Sequence, residues 1–232
     1  MHGIFVKAER PSTVLFDLDG TLVHSAPDLH GAANAMLAEL GLPLLSLQTV
    51  ISFIGNGVPK LVERIMRASP PPHDEARLGQ MLDAFTRLYN AEPVKLTALY
   101  PGVLSRLDDL KARGVALGLC TNKPQAPAKQ VLRLLGLSDY FSVVVGGDSL
   151  PVRKPDPAPL LKTFDALGEG PRLYVGDSAV DRETAVRAKV PFAFFSGGYG
   201  TQAMRDDPSL TRFDSFDDFS RIVDGALGVS PT

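Results

Sequence analysis

Thr13-Val14-Leu15-Phe16-Asp17-Leu18-Asp19-Gly20-Thr21 joins a short apolar run to two acids, a glycine and a hydroxyl. The run Thr13–Phe16 reads as a buried strand, too short for a helix and closed by a turn signal. Asp17 and Asp19 stand two apart, so in extended backbone their side chains face one way and Leu18 the other. Two carboxylates so close repel unless a cation joins them or one holds a proton. Acids at the end of a strand matter because an open parallel sheet binds its ligands at the carboxyl ends of its strands.

Outward from this strand the chain changes character twice. Leu29, Ala32, Ala33, Met36, Leu37 and Leu40 recur at helical spacing, and Gly41 is placed to stop that helix. Val58, Leu61, Val62, Ile65 and Met66 form a second stripe, broken by Ser69-Pro70-Pro71-Pro72. Leu78, Met81, Leu82, Phe85 and Leu88 form a third. Residues 25–93 are therefore expected to be helical, with no strand among them. From Pro101 onward the pattern alternates. A helix through Leu104, Leu107 and Leu110 precedes a strand at 115–120, and a helix at 128–135 precedes Val143–Val145. A helix at 157–167 precedes a strand at 173–175, and a helix at Ala179–Ala188 precedes Phe192–Phe195. Such alternation predicts βαβ units, a parallel sheet and right-handed crossovers. The expected fold class is α/β, a Rossmann-like parallel-sheet core interrupted after its first strand by an inserted small α-helical cap. The core takes residues 1–22 and 98–232 and the cap 23–97, with a frayed tail after Gly228.

The strand ends collect the chemistry. After Asp17 and Asp19 come Thr121-Asn122-Lys123, then Arg153-Lys154-Pro155-Asp156-Pro157, then Gly176-Asp177-Ser178 with Asp181 four residues beyond Asp177. Carboxylates without histidine or cysteine suit a hard cation, and Mg²⁺ with phosphate is the common case. Thr121 offers a hydroxyl to a phosphate oxygen, although a strand-end threonine also caps helices. Lys154 precedes a helix that Asp156 can cap and Pro157 can open, so ammonium and helix N-terminus would face one anion. Cys120 reads as a buried strand residue, and His2, His24, His30 and His73 lack metal-ligand spacing.

Composition excludes several classes. The chain has 232 residues, 44% hydrophobic and 22% charged, with a formal net charge of -2. No basic run draws nucleic acid or an anionic membrane, so an anionic ligand must be held by local cations. One cysteine permits no intrachain disulfide. Lys7, Glu9 and Arg10 stand where a signal peptide needs apolar residues, and no run reaches membrane-spanning length. A soluble, cytoplasmic protein is expected, monomer or homodimer.

The motifs DLDGT at Asp17, TN at Thr121, KP at Lys154 and GDSxxD at Gly176, in this order, resemble the haloacid dehalogenase-like phosphatases over nearly the whole chain. Closer details resemble the phosphoglycolate phosphatases: Ser25-Ala26-Pro27-Asp28-Leu29, Phe53-Ile54-Gly55-Asn56-Gly57, Tyr100-Pro101-Gly102-Val103 and Gly197-Gly198-Tyr199-Gly200. The resemblance implies phosphoryl transfer in two steps. Asp17 would attack phosphorus and become an aspartyl phosphate. Asp19 would protonate the leaving alkoxide and then take a proton from water. Mg²⁺ would be held by the Asp17 side chain, the Asp19 backbone carbonyl and the Asp177 side chain. Asp181 would act at one remove, through water or by orienting Lys154. Thr121, the Asn122 backbone and Lys154 would hold the transferring oxygens, and the cap would close over them.

The implied substrate is a small phosphorylated metabolite, 2-phosphoglycolate. A phosphatase of another small sugar or amino-sugar phosphate and a sugar phosphate mutase keep the same core motifs and stay open. Asp19 argues against a haloacid dehalogenase proper, which lacks the second aspartate. A non-catalytic module would be expected to have lost a nucleophile or ligand, and none is missing. Gly55, Asn56 and Gly57, just before the second cap stripe, are expected to receive the substrate's carboxylate through backbone amides. Lys60 and Arg64 share a helix face there and are either substrate contacts or solvated surface. Two positions depart from the family: His24 where it usually has aspartate, and Lys189 where it often has glycine.

Overall fold

The computed structural model describes residues 12–227. His2, the charged start and the tail after Gly228 lie outside them. In chain order the strands and α-helices are β1 (Thr13–Phe16), β2 (Val23–His24), α1 (Ala26–Glu39), α2 (Leu47–Ile51), α3 (Val58–Ala68), α4 (Glu75–Ala91) and β3 (Ala98–Leu99). There follow α5 (Val103–Ala112), β4 (Ala116–Cys120), α6 (Gln125–Leu134), β5 (Val143–Val145), α7 (Ala158–Leu167), β6 (Arg172–Gly176), α8 (Ala179–Ala188) and β7 (Phe192–Phe195). The last are α9 (Gln202–Arg205), β8 (Thr211–Phe213) and α10 (Phe219–Leu227).

Six strands form one sheet in the order β5-β4-β1-β6-β7-β8, and every pairing is parallel. The Rossmann-like core expected from the alternation is therefore present. The chain builds outward from β1 to β4 and β5, then returns to lay β6, β7 and β8 on the other side. That reversal makes the carboxyl end of β1 the topological switch point, where the crevice of such a sheet lies. β1 is buried throughout. Its side chains alternate: Val14 and Phe16 join one apolar layer with Leu119 and Val175, while Leu15 joins another with Leu160 and Phe164. Both faces of the sheet are thus covered by helices, as a parallel sheet requires.

α1 to α4 enclose a separate apolar cluster that includes Met36, Val62, Ile65, Met81 and Phe85. No strand interrupts them. Two short strands escape the sequence reading: β2 and β3 pair antiparallel, Val23 opposite Leu99 and His24 opposite Ala98, and join the chain's exit to the cap with its return. Beside them the buried Asp28 carboxylate accepts hydrogen bonds from the amides of Lys95, Leu96 and Thr97 at 2.8–3.0 Å and from the Thr97 hydroxyl at 2.6 Å. Lys189, the departure at the end of α8, is left-handed with φ 56°, the only non-glycine residue at positive φ among the described residues. Its position is a helix C-cap, where glycine adopts this conformation without a Cβ penalty. Among the described residues no helix is long and apolar enough to cross a membrane.

Candidate active site

β1 delivers Asp17 to the switch point, its amide bonded to the Val175 carbonyl at 2.9 Å. The Asp17 side chain is buried, and its Oδ1 lies 3.1 Å from Lys154 Nζ without a hydrogen-bond partner. Lys154 is itself almost inaccessible. Its ammonium donates to Asp181 Oδ1 at 2.6 Å and to the Tyr174 hydroxyl at 2.8 Å. Asp181 accepts through its other oxygen from the Ser178 amide at 3.1 Å and hydroxyl at 2.5 Å, closing the capping box that starts α8. One residue thus caps the helix and fixes the lysine. Asp177, at the end of β6, accepts from the Thr21 hydroxyl at 2.7 Å and the Tyr199 amide at 2.7 Å. Gly20 follows Asp19 at φ +89°, and a side chain there would collide with the Asp177 carboxylate and the Tyr199 ring. The glycine of the opening motif is therefore required by packing as well as by the turn.

Oxygens of Asp17, Asp177 and Asp181 lie within 4.8 Å of one another, with one ammonium, that of Lys154, among them. Burial pushes the Asp17 carboxyl up to about 6; Lys154 opposes the shift and Asp181 adds to it. Burial, then the charges of Asp181 and Asp17, push Asp177 well above the ordinary 3.8. For Asp181 burial also acts upward, but Lys154 and the hydrogen bonds to it keep this acid below its ordinary value. Asp181 is committed to Lys154, while Asp17 and Asp177 add buried negative charge that the single ammonium of Lys154 does not balance. That donor set fits a hard cation.

Asp19 goes elsewhere. Its carboxylate turns from the other acids to Lys123 Nζ, at 3.1 Å from each oxygen. The two-residue spacing thus does not put both carboxylates on one cation; only the Asp19 carbonyl is left for the role that the resemblance implies. Thr121 is buried, its hydroxyl accepting from the Lys123 amide at 3.3 Å. Asn122 donates to the carbonyls of Gly55 and Lys154, each at 3.0 Å, and so ties the cap loop to the core. Cys120 is buried at the end of β4, its thiol pushed up to about 12 by burial, which suits the structural role expected of it.

The residues of the cap loop are placed differently from one another. Gly55 and Gly57 line the cleft above Asp17, but Asn56 does not. The Asn56 side chain turns into the cap and accepts from Arg64 at 2.8 Å, and Arg64 also donates to the Phe53 carbonyl at 2.8 Å. Lys60 is half-exposed and pairs with Glu63 at 2.7 Å. Neither cation faces the cleft. Sequence reasoning also missed Lys123, whose ammonium lies 4.7 Å from the centre of the Tyr89 ring of α4. It missed the role of Tyr199 as well, whose hydroxyl accepts from the Ala26 amide at 2.8 Å and lies 3.2 Å from His24 Nδ1. Lys123 stood beside the threonine already singled out; a lysine's ordinary fate at the surface hid it.

The model of the haloacid dehalogenase-like hydrolases matches residues 14–195. A phosphoglycolate phosphatase of Cereibacter sphaeroides is 47% identical over 210 residues, 90% of this chain and 96% of its own. One from Rhodospirillum rubrum is 43% identical, covering 89% and 88%. Among solved structures, a predicted phosphoglycolate phosphatase from Haemophilus somnus 129PT superposes with a TM-score of 0.85 at 33% identity, over 92% of this chain and 98% of that one. Sheet, strand-end acids and these likenesses agree: the chain belongs to the haloacid dehalogenase-like hydrolases.

Proposed function

We propose that the protein is a Mg²⁺-dependent phosphatase that hydrolyses 2-phosphoglycolate to glycolate and phosphate through an aspartyl phosphate on Asp17. The observation that carries this reading is the buried Asp17, paired through Oδ1 with Lys154 at 3.1 Å and set beside Asp177, at the floor of a covered cleft. An Asp17 oxygen attacks phosphorus and the bond to the ester oxygen breaks. Asp19 gives its proton to the departing glycolate oxygen. Water then attacks the aspartyl phosphate, Asp19 takes its proton, and the phosphorus–Asp17 bond breaks. Thr121, the Asn122 backbone and Lys154 hold the transferring oxygens. Mg²⁺, held by the side chains of Asp17 and Asp177 and the Asp19 carbonyl, would supply charge neutralisation. Asp181 positions Lys154.

Relatives named phosphoglycolate phosphatase at 43–47% identity support the substrate. So does the wall opposite the acids, formed by Leu29, Ile54, Val58 and Leu61. Such side chains leave the hydroxyls of a sugar phosphate without partners, a cost that disfavours larger polar substrates. The cap is proposed to span residues 23–97 and to exclude water when closed. Phosphate release is measured over phosphoglycolate, hexose phosphates, amino-sugar phosphates and pyrophosphate, each with Mg²⁺ and with EDTA. Phosphoglycolate is expected to give the highest kcat/KM, only with Mg²⁺. Failure to release phosphate from it, or equal rates in EDTA, would refute the proposal.

A further inference from the structure

We propose that Lys123 binds the carboxylate of the substrate beside the leaving oxygen, and so sets specificity for an acidic ester. The role holds only if 2-phosphoglycolate is the substrate, as proposed above. That molecule carries two anionic ends. The phosphate end meets Lys154 and Asp17; the other end needs a cation that the cap does not offer. Arg64 is spent on the Phe53 carbonyl and Asn56, and Lys60 on Glu63 at the surface. The cap wall is Leu29, Ile54, Val58 and Leu61, against which a bare carboxylate is costly. Among the described residues that line the cleft, Lys123 is the one cation besides Lys154, which is already paired with Asp17 and Asp181.

Its placement fits the length of the substrate. Lys123 Nζ lies 3.1 Å from both oxygens of Asp19, the group proposed to protonate the ester oxygen. The carboxyl carbon of phosphoglycolate is two bonds from that ester oxygen. A carboxylate there comes within hydrogen-bond reach of the ammonium that Asp19 already touches, roughly 3 Å. Tyr89 covers the ammonium from α4, its ring centre 4.7 Å from Lys123 Nζ. The side chain of Lys123 is 2% exposed, so the cation is held in place by the packed cap.

Initial rates are compared for the full chain and for Lys123→Met and Lys123→Arg, on 2-phosphoglycolate and on ethyl phosphate, which has a methyl group in place of the carboxylate. Both rates fall in Lys123→Met because Asp19 loses its partner, so the ratio of the two kcat/KM values is the readout. Wild type should favour phosphoglycolate, and Lys123→Met should shrink that preference at least tenfold, roughly, mainly through KM. Lys123→Arg should keep most of it. In an Asp17→Asn background, calorimetry should show phosphoglycolate binding weakened by a similar factor in Lys123→Met. A preference that survives in Lys123→Met would overturn the assignment and leave the substrate standing. A wild type without the preference would overturn both. Should Lys123→Met fail to fold, Lys123→Gln, which keeps a polar head without the charge, takes its place in both assays with the same expected loss of preference. A cation fixed here should reject the ester whose carboxylate is one carbon farther out by at least tenfold, roughly, and equal use of the two esters would overturn the proposal.

Discussion

Adding Mg²⁺ to the metal-free protein is expected to drive protons off it. Asp17 titrates near 6, pushed up by burial, so at pH 6 about half the molecules hold a proton there. Asp177 is raised as well, by burial and then by Asp181 and Asp17. A cation binds the ionised forms, so each Mg²⁺ should displace between about 0.5 and about 1.5 protons at pH 6. The contribution of Asp17 should fade by pH 8. Titration calorimetry in two buffers of unlike ionisation enthalpy counts these protons.

Stability carries the same signature. In the window between the ordinary 3.8 and about 6 the folded protein holds more protons at Asp17 than the unfolded chain. Its contribution is therefore fully present below that window and lost as pH rises through it, by roughly 3 kcal/mol for Asp17. Asp181, held below its ordinary value chiefly by Lys154 against the effect of burial, acts with the opposite sign and at lower pH. The Tm of EDTA-treated protein should thus fall from pH 5 to pH 7, and Mg²⁺ should restore it. No proton release at pH 6, or a Tm that rises with pH without metal, would refute the placement of a cation on Asp17 and Asp177.

Asp17→Asn should keep the fold and lose turnover to below about 1% of wild type, since the amide forms no acyl phosphate; phosphate-release assays on freshly prepared protein check this. Asp19→Asn should form the phosphoenzyme from a nitrophenyl phosphate, whose leaving group needs little protonation, and then stall; rapid quench should trap it, and absence of both burst and trapped species would count against the acid–base role. Asp28→Ala strands three backbone amides and a hydroxyl at the cap hinge and should cost at least about 3 kcal/mol in urea denaturation. Gly57→Val should impair all substrates alike, because a Cβ there would come within 2.8 Å of the Asn122 carbonyl and φ is +83°; losses confined to phosphoglycolate would instead revive a carboxylate site in the loop.

What the sequence made legible follows from range. Thr13–Phe16, Val143–Val145, Ala179–Ala188 and Phe192–Phe195 coincide with the observed elements, because each is a run whose period and stop signals are local. β2 and β3, two residues each, carry no period at all; they exist because Val23 finds Leu99 across the whole cap. The acids were legible because strand ends in an alternating chain converge on one edge. Where each carboxylate points was not. Asp19 faces Lys123, and Asn56 faces Arg64, through side-chain choices that depend on neighbours from other elements. The side chain of Asn56, between the two glycines of the cap loop, is turned away from the cleft for that reason.

The cap is tied to the strand ends at three places, and each tie runs through a residue that the motifs alone would assign to the core. Asn122 reaches from beside Thr121 to the Gly55 carbonyl. Lys123 reaches from Asp19 to the Tyr89 ring. Tyr199 takes Asp177 with its amide and the first turn of α1 with its hydroxyl. Were the cap to open, the first two contacts would be lost and the Asp19–Lys123 pair, exposed to water, would weaken through screening. On the mechanism proposed above, closure and the placement of Asp19 would be one event. A substrate too large to let α4 settle over Lys123 would leave Asp19 poorly held, whatever its phosphate did at Asp17. Selection by size then needs no dedicated contact: it follows from building the acid's partner into the seam between cap and core.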